Sequence, residues 1–268
     1  MVHWFKEQIN LFLLTVGFFT RIPIPKNTPY SDELLNHTTR FYGIIGIFIG
    51  LINYLALITL CFYLPKELAF TLAIAFSLYL TGAFHEDGLA DMVDGFGGGF
   101  TPEKKLNIMK DSRQGTYGVS ALIITILLYF FSYKYLTQFG SIVTLFAIVI
   151  GHTVSRVMAG TLIASLPYLR ALDTAAKAKP LATKLRKSDL SIMLLSGIVL
   201  ILLFTPLYAL IFLGICIFLH FILKGYLTHH LGGYTGDCLG AAQIITMFIT
   251  WIFIIALLHN GIIPFYIV

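Results

Sequence analysis

Seven long stretches of this chain, roughly 43–63, 68–84, 117–136, 140–164, 190–204, 207–223 and 239–258, are almost wholly apolar. A helix needs about 20 such residues to cross the hydrocarbon core of a bilayer, and it satisfies its own backbone polar groups while doing so. The chain therefore reads as an all-α, polytopic integral membrane helical bundle of about seven transmembrane helices, a single transmembrane domain over residues 1–268. Only 12% of its residues are charged, against roughly 25% in an ordinary soluble domain, and its mean hydropathy is +0.85, which excludes a water-soluble fold. The fifth and sixth stretches merge into one apolar run, Leu190 to Leu223, which is too long for one crossing; Pro206 is the natural place for it to turn. Residues 9–19 are too few to span before Arg21 interrupts them, which predicts an N-terminal interfacial or re-entrant helix. Arg21, Pro23 and Pro25 follow it where a removed signal peptide would carry small residues, so no cleaved leader is expected.

Loop charge orients the bundle, because Lys and Arg accumulate on the cytoplasmic side. With the N-terminus inside, Lys6, Arg21, Lys26 and Arg40 precede the first span, and Lys104, Lys105, Lys110 and Arg113 follow the second. Arg170, Lys177, Lys179, Lys184, Arg186 and Lys187 follow the fourth span, and Lys224 the sixth. Only Lys66 and Lys134 fall on the opposite side, with Arg156 inside a span. The expected location is the inner (cytoplasmic) membrane, with the N-terminus and the active site facing the cytoplasm, where every acidic residue except Glu67 also lies. The same loops explain the net charge of +5, so the lipid bilayer is the partner implied and nucleic acid is not. Cys61, Cys216 and Cys238 show no metal-ligand spacing and imply no disulfide framework.

Against this apolar background, AFHEDGLADMVDGFGGGF (83–100) places Glu86, Asp87, Asp91 and Asp94 within nine positions, out of 13 acidic residues in the whole chain. Asp87, Asp91 and Asp94 are spaced i, i+4, i+7, so a helix carries all three on one stripe about 10 Å long. Glu86 projects about 100° away, toward a neighbouring surface or the edge of the same site. Carboxylates about 6 Å apart repel by a few kcal/mol at an effective dielectric near 20, and a divalent cation removes that repulsion. An all-oxygen set suits Mg²⁺, Mn²⁺ or Ca²⁺ better than zinc, and Mg²⁺ shares its shell with substrate phosphate. The plain alternative is a solvated acidic loop. Gly95, Gly97, Gly98 and Gly99 are expected to break the helix and let backbone N–H groups approach a phosphate. Thr101 then caps a new helix with Pro102 at its first position, leading into IMKDSRQGTYG (108–118), where Lys110 and Arg113 are cations suited to phosphate and Asp111 is a further carboxylate. Carboxylates for a metal beside cations for phosphate describe a phosphoryl-transfer site.

Three further groups stand out. His152 and Arg156 are i, i+4 inside the fourth apolar run, where an ionisable group costs at least about 2.5–3.5 kcal/mol and faces the bundle interior or a water-filled cavity. They are either an interhelical hydrogen-bonding pair or ligands for a phosphate or a carboxylate. Asp237, in HHLGGYTGDCLGAAQ (229–243), sits at the cytoplasmic start of the last span as a helix cap or a site residue, and His229 and His230 read as solvated. Arg21, in FFTRIPIP (18–25), is an interface anchor or part of a substrate entrance.

The stretches HEDGLADMVDGFGGG, IMKDSRQGTYG, FFTRIPIP, GHTVSR and GGYTGDCLGA occur in the order, and over nearly the whole length, found in the cobalamin synthase family, the adenosylcobinamide-GDP ribazoletransferases, which the chain resembles. The resemblance implies a Mg²⁺-dependent membrane enzyme acting on adenosylcobinamide-GDP and α-ribazole or its 5′-phosphate, and releasing GMP. It implies Glu86, Asp87, Asp91 and Asp94 as the metal shell, Asp94 or Asp111 as the base aligning the attacking hydroxyl, and Lys110 and Arg113 as charge stabilisers, with Arg156 a further candidate. Arg21, Gly97, Gly98, Ser112, Tyr117, His152, Arg156 and Asp237 are then expected to bind substrate. A second copy of the chain, or soluble enzymes of the corrinoid pathway, are the protein partners left open. A CDP-alcohol phosphotransferase is the nearest rival: its D-x-x-D-G-x-x-A-R pattern matches Asp91, Asp94 and Gly95, but positions 98 and 99 are both Gly. A cation transporter would carry its acids mid-membrane, whereas these cluster at the cytoplasmic edge beside phosphate-type cations.

Overall fold

A computed structural model describes residues 2–169 and 185–266 of the chain. Their order is α1 (Val2–Phe19), α2 (Asp32–His37), α3 (Tyr42–Tyr63), α4 (Lys66–Thr81), α5 (Phe84–Gly98), α6 (Pro102–Lys110), α7 (Thr116–Leu136), α8 (Ser141–Ser165), α9 (Lys187–Ile201), α10 (Pro206–Leu231) and α11 (Gly236–His259). Among the described residues the β-structure is limited to two isolated bridges, Tyr168 to Tyr234 and Phe204 to Phe265. Among the described residues five segments are long and apolar enough to cross a membrane: Asp32–Tyr63, which contains α3, and those of α7, α8, α10 and α11; α4 with α5 makes a sixth if a bent pair counts as one. That is fewer than the seven apolar runs suggest. The run 190–204 becomes α9, whose 15 residues span about 22 Å, short of the roughly 30 Å core. The run 68–84 ends at Thr81, where the chain turns by 87° into α5. The expected break at Pro206 is present: α9 stops at Ile201 and Pro206 opens α10. The N-terminal helix extends from Val2 rather than starting near residue 9. Of the basic residues used to orient the bundle, Arg170, Lys177, Lys179 and Lys184 lie outside the described residues.

Without a hydrophobic drive between helices in lipid, close packing holds such a bundle together, and small residues set where helices touch. α3 crosses α8 at Gly46 and Gly50: a Cβ on Gly46 would stand 2.5 Å from Thr153 Cα, and one on Gly50 2.8 Å from Val149 Cα. α11 locks to α8 through Trp251, fully buried, whose Nε1 donates to the Ala147 carbonyl at 2.8 Å over Gly151. α5 lies against the start of α11 at two more glycines: a Cβ on Gly88 would meet Asp237 Cα at 3.0 Å, and one on Gly240 would meet the His85 carbonyl at 3.1 Å. The acidic helix is therefore pressed onto the start of α11, with its other sides covered by α7, α6 and the loop between them.

Candidate active site

The elbow between α4 and α5 decides where the acidic helix points. Gly82 (φ +68°) and Ala83 (φ +55°) both adopt the left-handed conformation, and the Ala83 amide returns to the Leu78 carbonyl at 2.8 Å, closing α4. Ala83 has no glycine's freedom there, so its conformation is held by the surrounding packing at about 1 kcal/mol. From this elbow α5 carries Asp87, Asp91 and Asp94 on one stripe as the spacing requires. Their exposure falls along the stripe: Asp87 is exposed, Asp91 half-buried and Asp94 buried.

Asp94 is buried because the loop after α6 is fastened over it. Its Oδ2 accepts the Gly115 amide at 2.7 Å and its Oδ1 accepts the Gly118 amide at 2.8 Å, satisfying two donors at the start of α7. Both glycines are required by this contact, since a Cβ would stand 2.5 Å (Gly115) or 2.4 Å (Gly118) from a carboxylate oxygen of Asp94. One turn back along α5, Gln114 Nε2 donates to Asp91 Oδ1 at 3.1 Å. Between these fastenings and α6, the Arg113 guanidinium forks onto Asp111, with Nε 3.0 Å from Oδ1 and Nη2 2.7 Å from Oδ2, while the Arg113 amide also donates to Oδ1. Hydrogen bonding to Asp111, and then its charge, raise the Arg113 pKa above the usual guanidinium value, so the side chain stays cationic. Its Nη1 takes no part in the fork. α6 itself starts as its sequence predicts, with Thr101 Oγ1 accepting the Lys104 amide and Pro102 at the first position.

Three of the residues expected at this face lie elsewhere. Glu86 is 5% exposed and turned into the bundle, where Tyr129 donates to its Oε1 at 3.0 Å. It lines a small interior cavity with His85, Arg156 and Gln243, and Glu86 Oε2, Arg156 Nε and Gln243 Oε1 have no hydrogen-bond partner there. His152 and Arg156 belong to the same interior: Arg156 Nη1 donates to the His152 carbonyl at 2.8 Å, its guanidinium lies 5.6 Å from the Phe19 ring centre, and it is 3% exposed. Glu86 is thus turned away from the exposed side of the stripe, and His152 and Arg156 are buried beside it. The physical reason is the 100° step per residue: Asp87 on the outer face puts Glu86 on the face packed against α7 and α11.

The glycine run also departs from expectation. α5 continues through Gly98, and the glycines serve close packing rather than a phosphate nest. A Cβ on Gly95 would stand 2.5 Å from Met109 Cγ, one on Gly97 2.6 Å from the Tyr117 ring, and one on Gly98 3.3 Å from Ile108 Cδ1. Tyr117, otherwise exposed, therefore rests its ring on α5 and joins the loop to the stripe. Ser112 and Lys110 are exposed. Asp237 occupies the first turn of α11, but the cap is Thr235, whose Oγ1 accepts the Cys238 amide. Asp237 is only partly buried, and its backbone touches Gly88 of α5, next to Asp87. His230 is not simply solvated, because Lys105 Nζ sits 3.2 Å from its Nδ1.

Among the described residues no three His, Cys, Asp or Glu side chains gather into a metal cage. The donor set still fits a magnesium ion, which takes one or two carboxylates and fills the rest of its shell with water and substrate phosphate. Asp87, exposed on the stripe, and Asp91, one turn on, are such a pair.

The model of the family described as cobalamin-5-phosphate synthase (CobS) matches residues 11–255. The chain belongs to this family. A relative from Vibrio parahaemolyticus serotype O3:K6 named adenosylcobinamide-GDP ribazoletransferase is 42% identical over 256 residues, 95% of each chain. Relatives of the same name from Shewanella pealeana (42% identical; 89% of this chain, 92% of that one) and Vibrio cholerae serotype O1 (39%; 95% and 97%) agree. No solved structure matches the chain. Within this CobS-family chain, residue-by-residue reading missed Gln114 as a fastening of the loop and Tyr129 as the partner of Glu86. Gln114 stands inside a motif that the family resemblance rests on, whereas nothing in the apolar run around Tyr129 distinguishes it.

Proposed function

We propose that the chain is an adenosylcobinamide-GDP ribazoletransferase that works at the cytoplasmic face of the inner membrane. It transfers the cobinamide-phosphate group to α-ribazole or its 5′-phosphate, giving adenosylcobalamin or adenosylcobalamin 5′-phosphate and GMP. The observation that supports this reading is the fastening of the 111–118 segment, which carries Asp111 and Arg113, onto Asp91 and Asp94 of α5. In the reaction, a ribazole hydroxyl oxygen attacks the β-phosphorus, the one bonded to the aminopropanol arm. A new P–O bond forms, the bond from that phosphorus to the bridging oxygen of the diphosphate breaks, and GMP leaves with the bridging oxygen.

Asp87 and Asp91 would hold Mg²⁺, which when bound neutralises diphosphate charge. Asp111 takes the proton of the attacking hydroxyl through an oxygen that Arg113 gives up on turning to phosphate, an exchange open to that exposed side chain and not to the backbone amides on Asp94. Arg113, through Nη1, and Lys110 stabilise charge on the transferred and leaving phosphates. Asp94 acts through the loop as a positioning residue, because both its oxygens hold backbone amides. The reading is tested with Asp91→Asn in purified enzyme supplied with both substrates. It should retain folding and membrane insertion yet lose GMP release by at least about 100-fold at saturating Mg²⁺. Wild-type turnover from that variant would rule out the assigned shell.

A further inference from the structure

α1 and the irregular segment that follows it enclose a cavity of about 730 Å³, a size suited to a small organic ligand and unused by the chemistry above. Its walls are apolar, with Leu14, Phe18, Ile22, Ile24 and Leu35 among them, while Arg21 and the exposed ring of Tyr30 supply its polar edge. The wall is well fixed. Thr20 Oγ1 donates to the Val16 carbonyl at 2.7 Å and accepts the Ile22 amide at 3.1 Å, and the Arg21 amide is tied to the Leu80 carbonyl at 2.7 Å.

Arg21 is an exposed cation whose guanidinium makes no hydrogen bond or ion pair with any described residue. It lies directly over the elbow that launches the acidic helix: a Cβ on Gly82 would stand 2.5 Å from its Nε. Phe18, in the cavity wall, meets Phe84, the first residue of α5, edge to face at 5.3 Å. Asp87 follows one turn later. The cavity wall therefore adjoins the start of α5 through Phe18, and Arg21, over the elbow at the cavity's edge, is an uncommitted positive charge.

A phosphate carrying an apolar body is the chemistry that such a site recognises. We propose that this cavity is the acceptor subsite: the heterocyclic base of the ribazole nucleotide lies against its apolar walls, and Arg21 holds the 5′-phosphate. The sugar hydroxyl is thereby directed toward Asp87 and Asp91. This rests on the transferase reading above and adds to it a residue that distinguishes α-ribazole 5′-phosphate from α-ribazole. A phospholipid headgroup offers the same chemistry, but continuity with the start of α5 favours the nucleotide.

The test compares wild type, Arg21→Met and Arg21→Lys with both acceptors at saturating adenosylcobinamide-GDP and Mg²⁺, following GMP. In Arg21→Met the ratio of kcat/KM for the phosphorylated over the unphosphorylated acceptor should fall at least ten-fold, through acceptor KM rather than kcat, and Arg21→Lys should recover part of it. A second variant, Ile24→Trp, fills the cavity and should raise KM for both acceptors. An unchanged ratio in Arg21→Met overturns the proposal. So does thermal stabilisation of wild type, but not of Arg21→Met, by dioleoyl phosphatidic acid in the detergent micelle while the ratio stays fixed. If wild-type enzyme releases no GMP, the transferase reading fails instead. Titration of α-ribazole 5′-phosphate into the two proteins then still decides the subsite: ten-fold weaker binding by Arg21→Met supports it, and equal binding overturns it.

Discussion

Replacing Asp94 by Asn separates two roles that its position allows. In wild type each carboxylate oxygen accepts one backbone amide, from Gly115 at 2.7 Å and Gly118 at 2.8 Å, and the side chain is buried. Hydrogen bonds to an ionised acceptor contribute about 1.5–3 kcal/mol each, against roughly 0.5–1.5 between neutral groups. Asn keeps one acceptor at the weaker strength and turns its NH₂ toward the other amide, so the fastening loses about 2–4 kcal/mol. At 1.36 kcal/mol per factor of ten, the closed loop becomes about 30- to 1000-fold less favoured. Amide hydrogen exchange at Gly115 and Gly118 should accelerate by at least about 30-fold, and kcat/KM for GMP release should fall with the closed population. Gly118→Ala, whose Cβ would stand 2.4 Å from Asp94 Oδ2, should give the same pair of effects from the opposite side of the contact. If Asp94→Asn abolishes turnover while exchange at these amides stays at the wild-type rate, Asp94 is the base itself and the positioning argument is refuted.

Two other substitutions probe parts of the fold that hold the site. Glu86→Gln should leave the Mg²⁺ concentration for half-maximal turnover unchanged, because Glu86 faces Tyr129 rather than the stripe; a ten-fold rise in that concentration would return it to the metal shell. Asp189 is fully buried, paired with His37 Nδ1 at 2.7 Å and with Arg40 Nε at 2.8 Å, so it ties α9 to α2 and the turn after it. Asp189→Ala leaves these donors without their acceptor and should lower stability in detergent by about 3 kcal/mol, read as a drop in thermal midpoint; an unchanged midpoint would show that the cluster contributes nothing.

Apolar run length and the i, i+4, i+7 spacing of Asp87, Asp91 and Asp94 are local properties. They were enough to establish a helical membrane bundle carrying an acidic stripe, since backbone satisfaction in lipid and 3.6-residue periodicity act on neighbours in the chain. Local features also placed the cap at Thr101 and the break at Pro206. What they left open depended on contacts between segments far apart in sequence. Glu86 shares its motif with Asp87, yet burial against Tyr129, 43 positions away, gives it a different environment. The glycines after Asp94 look alike on paper, but Gly95, Gly97 and Gly98 stay helical with Met109, Tyr117 and Ile108 close against them, and the helix ends only at Gly99. Asp94 became a fastening only because Gly115 and Gly118 come within hydrogen-bonding reach of it. Sequence alone determined which chemical groups share the acidic stripe and the loop after it; tertiary structure decided which of them remain exposed, because burial and partner choice are set by the faces that helices turn toward one another.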